Sequence, residues 1–543
     1  MSSQKPAFLQ ALKLSADLSD DDCTQSITDL IGLAAREQAS SISLRDIHDA
    51  VDRYKCAECL NPLDIIQILL PSHHDGADEL MRDCALYSSP KEVVLAVQTA
   101  IELLQQHFNG ADLDGETDEP TSLVHSLTGM VSLCTAVIPR LKLGKRTAQE
   151  WCSLLSDFKS LVTYASPLAT RDEGRSLISE VAHLVKALMA WKTAPATAND
   201  FPQIKVLLCS LLDTTVVSCA SSIQASLAAR VVESYSPRFS VRSAVKEGWQ
   251  DGEKAMLDAQ DALAALSGSS RTIAHKPESP SDLVYLAHST PPATLSPTIL
   301  SELHPLLLVS LQMNVAFDES LFLLFRILTQ ENTSMPPEIG ESLCTVLPAL
   351  ASTHLDPFIR QFTLRLVSLI LSRLPSIPRL EILRKLTADE DFPQIRGPAI
   401  GLLKEAVLEA LTLPADYADS NPFASQHVFR AFGNVLFKTD PPDFFAATKT
   451  REELESSLEL LRISDCLSFY YVLLQRDREN KTGVRDADQI TNVESSFLQP
   501  LRQSLDEQLT SEEEPLMAVL SLQLGLDRID DAIRAIDSAR MQR

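Results

Sequence analysis

Asp356–Leu374 reads DPFIRQFTLRLVSLILSRL, and its spacing decides the fold. Phe358, Phe362, Leu366 and Leu369 follow one another at steps of four, four and three residues, which stacks them along one side of an α-helix. Arg360, Arg365, Ser368 and Ser372 fall at other angles, as solvent-facing positions of such a helix would. The stretch Gln394–Leu411 repeats the logic with Ile395, Leu402, Leu403, Ala406, Val407 and Ala410. Pro357, Pro393 and Pro398 stand near the expected helix starts, where a missing N–H costs least. Far upstream, Ser19-Asp20-Asp21-Asp22 is an acidic start signal before Ile27, Leu30, Ile31 and Ala34.

The same periodicity recurs almost everywhere, and strand evidence is thin. The β-branched run Thr214–Val217 sits inside a longer helical pattern. Asn109-Gly110 and Asp114-Gly115 lie in an acidic loop, 109–121, rather than between alternating apolar runs. With 16 glycines and 6% aromatic residues, the composition favours helices over a sandwich or barrel. A chain of 543 residues exceeds one ordinary core, so two lobes or an extended repeat array are expected. The longest breaker-rich stretch, 267–297, carries Pro277, Pro280, Pro291, Pro292 and Pro297 and reads as a linker or insertion. The expected organisation is an N-terminal helical lobe over 1–266, this linker, and HEAT-like repeats over 298–543. Helix pairs after Pro297 recur at roughly 35–45 residues, the period of HEAT/armadillo units. The fold class is therefore all-α, a HEAT/armadillo-like solenoid in two lobes. Each pair needs its neighbours to bury its apolar face.

The net charge of −25 disfavours direct nucleic-acid binding, because phosphates repel an acidic surface. Export and membrane signals are not evident: the N-terminus lacks a signal-peptide pattern, and the greasiest runs, such as Leu321–Leu328, are interrupted by charge before spanning length. The ten cysteines do not form a disulfide framework and are expected to be reduced and mostly buried.

The motifs that would carry catalytic or metal chemistry are incomplete or absent. Cys56-Ala57-Glu58-Cys59, with His73, His74 and Cys84 downstream, suggests a zinc knuckle. The second half lacks ligand spacing, and two thiols on an ordinary helix account for the pair better. A reversible disulfide there would need a strand and a βαβ unit that the pattern does not show. Leu143-Gly144-Lys145-Arg146-Thr147 resembles the end of a phosphate loop, but Pro139 stands where the first glycine belongs and Arg146 where the hydroxyl belongs. Neither a nucleophile elbow, a zincin helix nor a dinucleotide turn occurs. No catalytic residue, cofactor or metal is expected, and the protein is read as a binder rather than an enzyme. The basic residues Arg360, Arg365, Arg373, Arg379, Arg384, Lys385, Arg396 and Lys404 stand out in so acidic a chain. They read either as solvated faces with local ion pairs or as one positive docking ridge. Arg360, Arg365, Arg396 and Lys404 are the candidate protein-binding residues.

The stretch His354–Leu411 carries a family resemblance. A helix ending in Leu374-Pro375, then Pro378-Arg379-Leu380, a second helix, Pro393, Arg396 and Leu402-Leu403-Lys404-Glu405 together resemble the glomulin family. That family groups animal glomulin, the plant aberrant-lateral-root-formation protein and the fungal Yap-binding proteins. The resemblance implies a non-catalytic helical-repeat adaptor or inhibitor. Glomulin-like members cover the RING-box subunit of a cullin–RING ubiquitin ligase with their C-terminal repeats and block the charged conjugating enzyme. The fungal branch is linked to a bZIP transcription factor in the oxidative stress response, and one relative to kinetochores. The RING-contacting positions lie outside the matched stretch, so none is assigned here. A cytoplasmic location, with the nucleus as a second compartment, is the matching expectation.

Overall fold

The computed structural model describes residues 4–15, 17–36, 42–110, 123–141, 147–191, 201–235, 245–267, 277–289, 299–330, 335–413, 421–442, 444, 451–509 and 516–541. Among them α-helices succeed one another from Lys5 to Met541, and no strand occurs. The helical reading of Thr214–Val217 holds, inside the helix Phe201–Ser218. The chain divides into two compact units, Met1–Thr294 with Pro305–Leu323, and Leu295–His304 with Leu324–Arg543. The chain therefore passes between units after Thr294, His304 and Leu323. Pro280 opens a helix inside the stretch read as a linker or insertion. Pro280–Ala287 is capped by a Ser279–Asp282 box and buries Leu283 and Val284. Proline at the first helical position is a start signal as well as a breaker, which is why composition misread it. The flanking residues 268–276 and 290–298, the acidic loop from 111 on, and 142–146 of the phosphate-loop resemblance lie outside the described residues.

In the first unit, the helix Arg171–Trp191 packs against Leu123–Val137 and Trp249–Ser267, and Phe201–Ser218 packs against Thr147–Ala165. Leu123–Arg140 and Phe201–Ser218 are each long and apolar enough to cross a membrane, which corrects the expectation that charge interrupts every such run. Both contribute to the core, through Leu127, Met130 and Val131 in one and Leu208, Leu211 and Leu212 in the other. Arg175 is almost wholly buried. Its Nε donates to the Ser222 carbonyl at 3.0 Å and its Nη2 to the Ile223 carbonyl at 2.8 Å, fixing the end of the short helix Ala220–Ile223. The Trp249–Ser267 helix comes so close here that a Cβ on Gly252 would lie 1.8 Å from the Ile223 carbonyl oxygen.

Asp318 accepts from the backbone N–H groups of Leu227 and Ala228, at 2.6 and 3.0 Å, at the start of the helix Leu227–Tyr235. Its neighbour Glu319 meets His288 at 3.2 Å, with both side chains buried. Burial, then the charge of Glu319, pushes the Asp318 carboxyl from 3.8 up to about 6.

The second unit stacks helices in two layers. One contains Pro337–Thr353, Ser376–Thr387 and His427–Leu436. The other contains Pro357–Arg373, Arg396–Thr412, Leu458–Arg476 and Met517–Met541. The starts at Pro337 and Ser376, and at Pro357 and Arg396, keep the expected repeat length. The step from Arg396 to Leu458 is longer, because Pro422–Ala424 and His427–Leu436 intervene. Asp356 caps its helix by accepting from the Phe358 N–H at 2.9 Å. Phe362, Leu366, Val367, Ile370 and Leu371 are buried along the same helix, a wider arc than a single stripe. Phe362 packs on Phe325, ring centroids 5.3 Å apart.

A buried ion pair fixes the register of this layer. The Arg462 guanidinium donates to Glu459 Oε2 at 2.7 Å and Oε1 at 2.6 Å, and to the carbonyls of Val435 and Lys438 at 2.5 and 2.6 Å. Glu459 accepts in turn from the Asp440 N–H at 2.9 Å, and Asp440 pairs with Arg396 at 2.5 Å. The loop after His427–Leu436 is thus pinned at several points. Burial pulls the Arg462 pKa down, but the bonds to Glu459 outweigh it and the net shift is upward.

Three outcomes follow from these contacts. Gly252→Ala forces a methyl group onto a carbonyl that cannot swing away, and should cost about 1–3 kcal/mol in denaturant unfolding. Arg462→Met strands Glu459 and should cost about 3–5 kcal/mol, with Glu459→Gln/Arg462→Met recovering part of the loss. At Asp318 the folded state holds a proton that the unfolded chain releases, so this group's contribution to stability falls as pH rises from about 4 to about 6. In thermal unfolding across that window, Asp318→Asn should flatten the slope relative to the parent protein. An unchanged slope would contradict the assignment.

Candidate protein-docking surface

Ser457 opens the helix Leu458–Arg476 by accepting from the Glu459 N–H. This helix runs parallel to both layer neighbours. A Cβ on Gly397 would lie 2.8 Å from Asp465 Oδ2, and further along Lys404 Nζ donates to Ser468 Oγ at 3.4 Å. On the other flank a Cβ on Gly525 would lie 3.2 Å from Leu467. Beyond that point Arg540 donates to the Arg485 carbonyl, while Arg485 Nε donates to the Leu474 carbonyl at 3.0 Å. The N-terminal ends of Leu458–Arg476 and Met517–Met541 therefore fall together.

At that end, large apolar side chains stay uncovered. Leu461 is 60% exposed and Leu458 43%, while on the adjacent helix Met517 is 78%, Leu520 40% and Leu524 51% exposed. Leu458, Leu461 and Asp465 lie at i, i+3 and i+7, one stripe of their helix, and Met517, Leu520 and Leu524 have the same spacing on theirs. Large apolar side chains left exposed on a helix face make that face a candidate interaction site.

The basic residues singled out by sequence meet different fates. Arg360 turns back onto the carbonyls of His354 and Leu355, at 2.7 and 3.1 Å, and closes the entry to its own helix. Arg373 donates to the Gln330 carbonyl at 3.2 Å. Arg379 pairs with Glu409 at 2.7 Å, Arg384 with Glu381 at 3.0 Å, Lys385 with Glu341 at 2.8 Å and Arg396 with Asp440. Arg365 is exposed and makes no ion pair among the described residues. Of the four candidates, Lys404 alone is placed beside the stripe that carries Leu461, through Ser468. The apolar residues of that stripe and its neighbour were missed. The signal was present as large side chains at positions such as Leu461 and Leu524, but spacing does not say which face a neighbour covers.

The cysteine pair also sits differently from expectation. The helix Leu44–Tyr54 ends at Lys55, whose φ is 52°, and Cys56 precedes a separate turn, Ala57–Cys59, rather than lying on a continuous helix. Burial pushes the Cys56 thiol up, and burial with nearby Cys23 pushes Cys59 up to about 12, so both are held as thiols near neutral pH. Cys84 is buried and likewise raised to about 12, while His73 stacks on His125 at 4.4 Å. Among the described residues, no group of three His, Cys, Asp or Glu side chains is arranged to hold a metal. None of the ten cysteines forms a disulfide, and seven are buried.

Residues 307–525 match the model of a family described as "uncharacterised protein family, YAP/Alf4/glomulin". No curated protein matches the chain. The matched segment contains His354–Leu411, where the resemblance was read, and extends through Leu458, Leu461, Met517, Leu520 and Leu524. It supports a protein-binding adaptor role in general terms. Over residues 307–525 the chain is thus similar to the YAP/Alf4/glomulin family.

Proposed function

We propose that this protein is a non-catalytic adaptor or inhibitor that docks a protein on the uncovered ends of Leu458–Arg476 and Met517–Met541. The proposed partner is the RING-box subunit of a cullin–RING ubiquitin ligase. The observation that carries the reading is the exposure of the apolar side chains Leu458, Leu461, Met517, Leu520 and Leu524, inside the family-matching segment. Covering such surface gains roughly 25 cal/mol per Å² of apolar area, before the costs of association. A rigid helical face suits this task, because its side chains are already ordered by packing behind them. A protein laid across a RING surface excludes the charged conjugating enzyme by volume alone, so inhibition requires no catalytic group. The net charge of −25 favours a partner surface with positive charge over direct contact with nucleic acid. A cytoplasmic location, with the nucleus second, belongs to the same reading.

The test uses the full-length chain and a purified RING-box subunit. The parent protein should bind it and slow ubiquitin transfer. Leu461→Asp/Leu520→Asp should weaken binding at least about tenfold. Its melting temperature should fall only slightly, since Leu461 is mostly and Leu520 partly in water. Equal binding by the double variant removes the patch from the account. Binding to a bZIP factor and not to the RING-box subunit replaces the proposed partner.

A further inference from the structure

Ser279 stands in Pro277-Glu278-Ser279-Pro280, and of the six Ser/Thr-Pro pairs in the chain it alone has a second proline two residues before it. A proline after an acceptor serine brings no N–H, so it suits an enzyme whose substrate groove asks for none at that position. The residue before a proline is also held extended, and Ser279 has φ −137° and ψ 158°. The acceptor therefore already has the stretched backbone in which a kinase cleft holds its substrate. Ser279 is half-buried beside the exposed Glu278, whereas Ser166, of another such pair, is buried.

The same hydroxyl fastens the helix that follows it. Ser279 Oγ donates to Asp282 Oδ2 at 3.0 Å, and that oxygen also accepts from the N–H groups of Glu278 and Ser279, at 2.9 and 3.0 Å. The helix, Pro280–Ala287, buries Leu283 and Val284 and ends at His288, whose Nε2 meets Glu319 with both side chains inside. We infer that Ser279 is the acceptor of a proline-directed serine/threonine kinase, and that its phosphorylation unfastens this helix from the first unit. The γ-phosphoryl group of ATP passes to Ser279 Oγ, forming the Oγ–P bond as the bond to the bridging oxygen breaks. ADP leaves with that electron pair, and the hydroxyl proton goes to the kinase's base. The product has lost its donor to Asp282 and places close to two negative charges beside that carboxylate and Glu278. A phosphate at a helix start is stabilised where backbone donors are free to meet it. Here Pro280 has none, the Asp282 N–H serves the Ser279 carbonyl, and the N–H groups of Glu278 and Ser279 serve Asp282. Repulsion therefore wins, the capping box opens, and His288 is drawn away from Glu319.

The test incubates the full-length chain with ATP and a purified proline-directed kinase of the mitogen-activated class, and maps phosphate by mass spectrometry. Pro280→Ala leaves the serine hydroxyl in place and removes the residue the kinase reads, so it separates recognition from capping. Its melting temperature should stay near the parent's, because alanine is also accepted at a helix start. Ser279 should be modified in the parent, and at least about tenfold more slowly in Pro280→Ala. Amide hydrogens of residues 280–288 and 317–320 should exchange at least about tenfold faster in the modified chain than in the unmodified one. Ser279→Ala loses the donor without gaining charge, so its exchange there should rise less than that of the modified chain. Phosphate on other Ser/Thr-Pro pairs with Ser279 bare overturns the site, and so does equal modification of Pro280→Ala. Modification of Ser279 with unchanged or slower exchange over 280–288 overturns the release of the helix.

Discussion

The helix Leu458–Arg476 has to bury more of its circumference than one neighbour can cover. Leu460, Ile463, Cys466, Leu467, Phe469, Tyr470, Leu473 and Leu474 all lie inside. Arg396–Thr412 takes one flank and Met517–Met541 the other, and repetition of that demand builds the layered second unit. The Glu459–Arg462 pair sets where the layers meet, because its bonds reach the carbonyls of Val435 and Lys438 as well as each other. Such a pair adds less to net stability than to register, since its desolvation cost is large. Near the N-terminal ends of the two helices the covering stops, and the apolar residues left exposed there are the ones proposed to dock a partner.

Two carboxylates, Asp318 and Asp465, are both held above their ordinary pKa by their surroundings, yet they mean different things. Asp318 accepts two backbone N–H groups and so closes a helix start. The energy it costs is matched by donors that would otherwise go without. Among the described residues of its unit Asp465 has no such donor, and it lies exposed beside Gly397. The shift alone does not distinguish the two; the bonding around each group does.

Much of the fold could be read from local spacing. Ile395, Leu402, Leu403, Ala406, Val407 and Ala410 are all buried as their periodicity requires. What spacing could not convey was pairing across elements. Glu381 and Arg384 are three apart and their ion pair is readable, but Glu341, Glu409 and Asp440 reach Lys385, Arg379 and Arg396 from distant positions. Those basic residues are therefore largely engaged in pairs within the chain. Leu460 and Leu461 show the same limit for apolar residues: they are adjacent and identical, one buried and one 60% exposed. Pro280 shows it for breakers, since the same residue ends one helix or begins another according to what precedes it.

The central claim, that a protein docks across the ends of Leu458–Arg476 and Met517–Met541, is tested most directly by amide hydrogen exchange. The full-length chain would be followed with and without saturating RING-box subunit. The account predicts slowed exchange over residues 458–465 and 517–525 on complex formation. Unchanged exchange there, with protection appearing only in other helices, would contradict it.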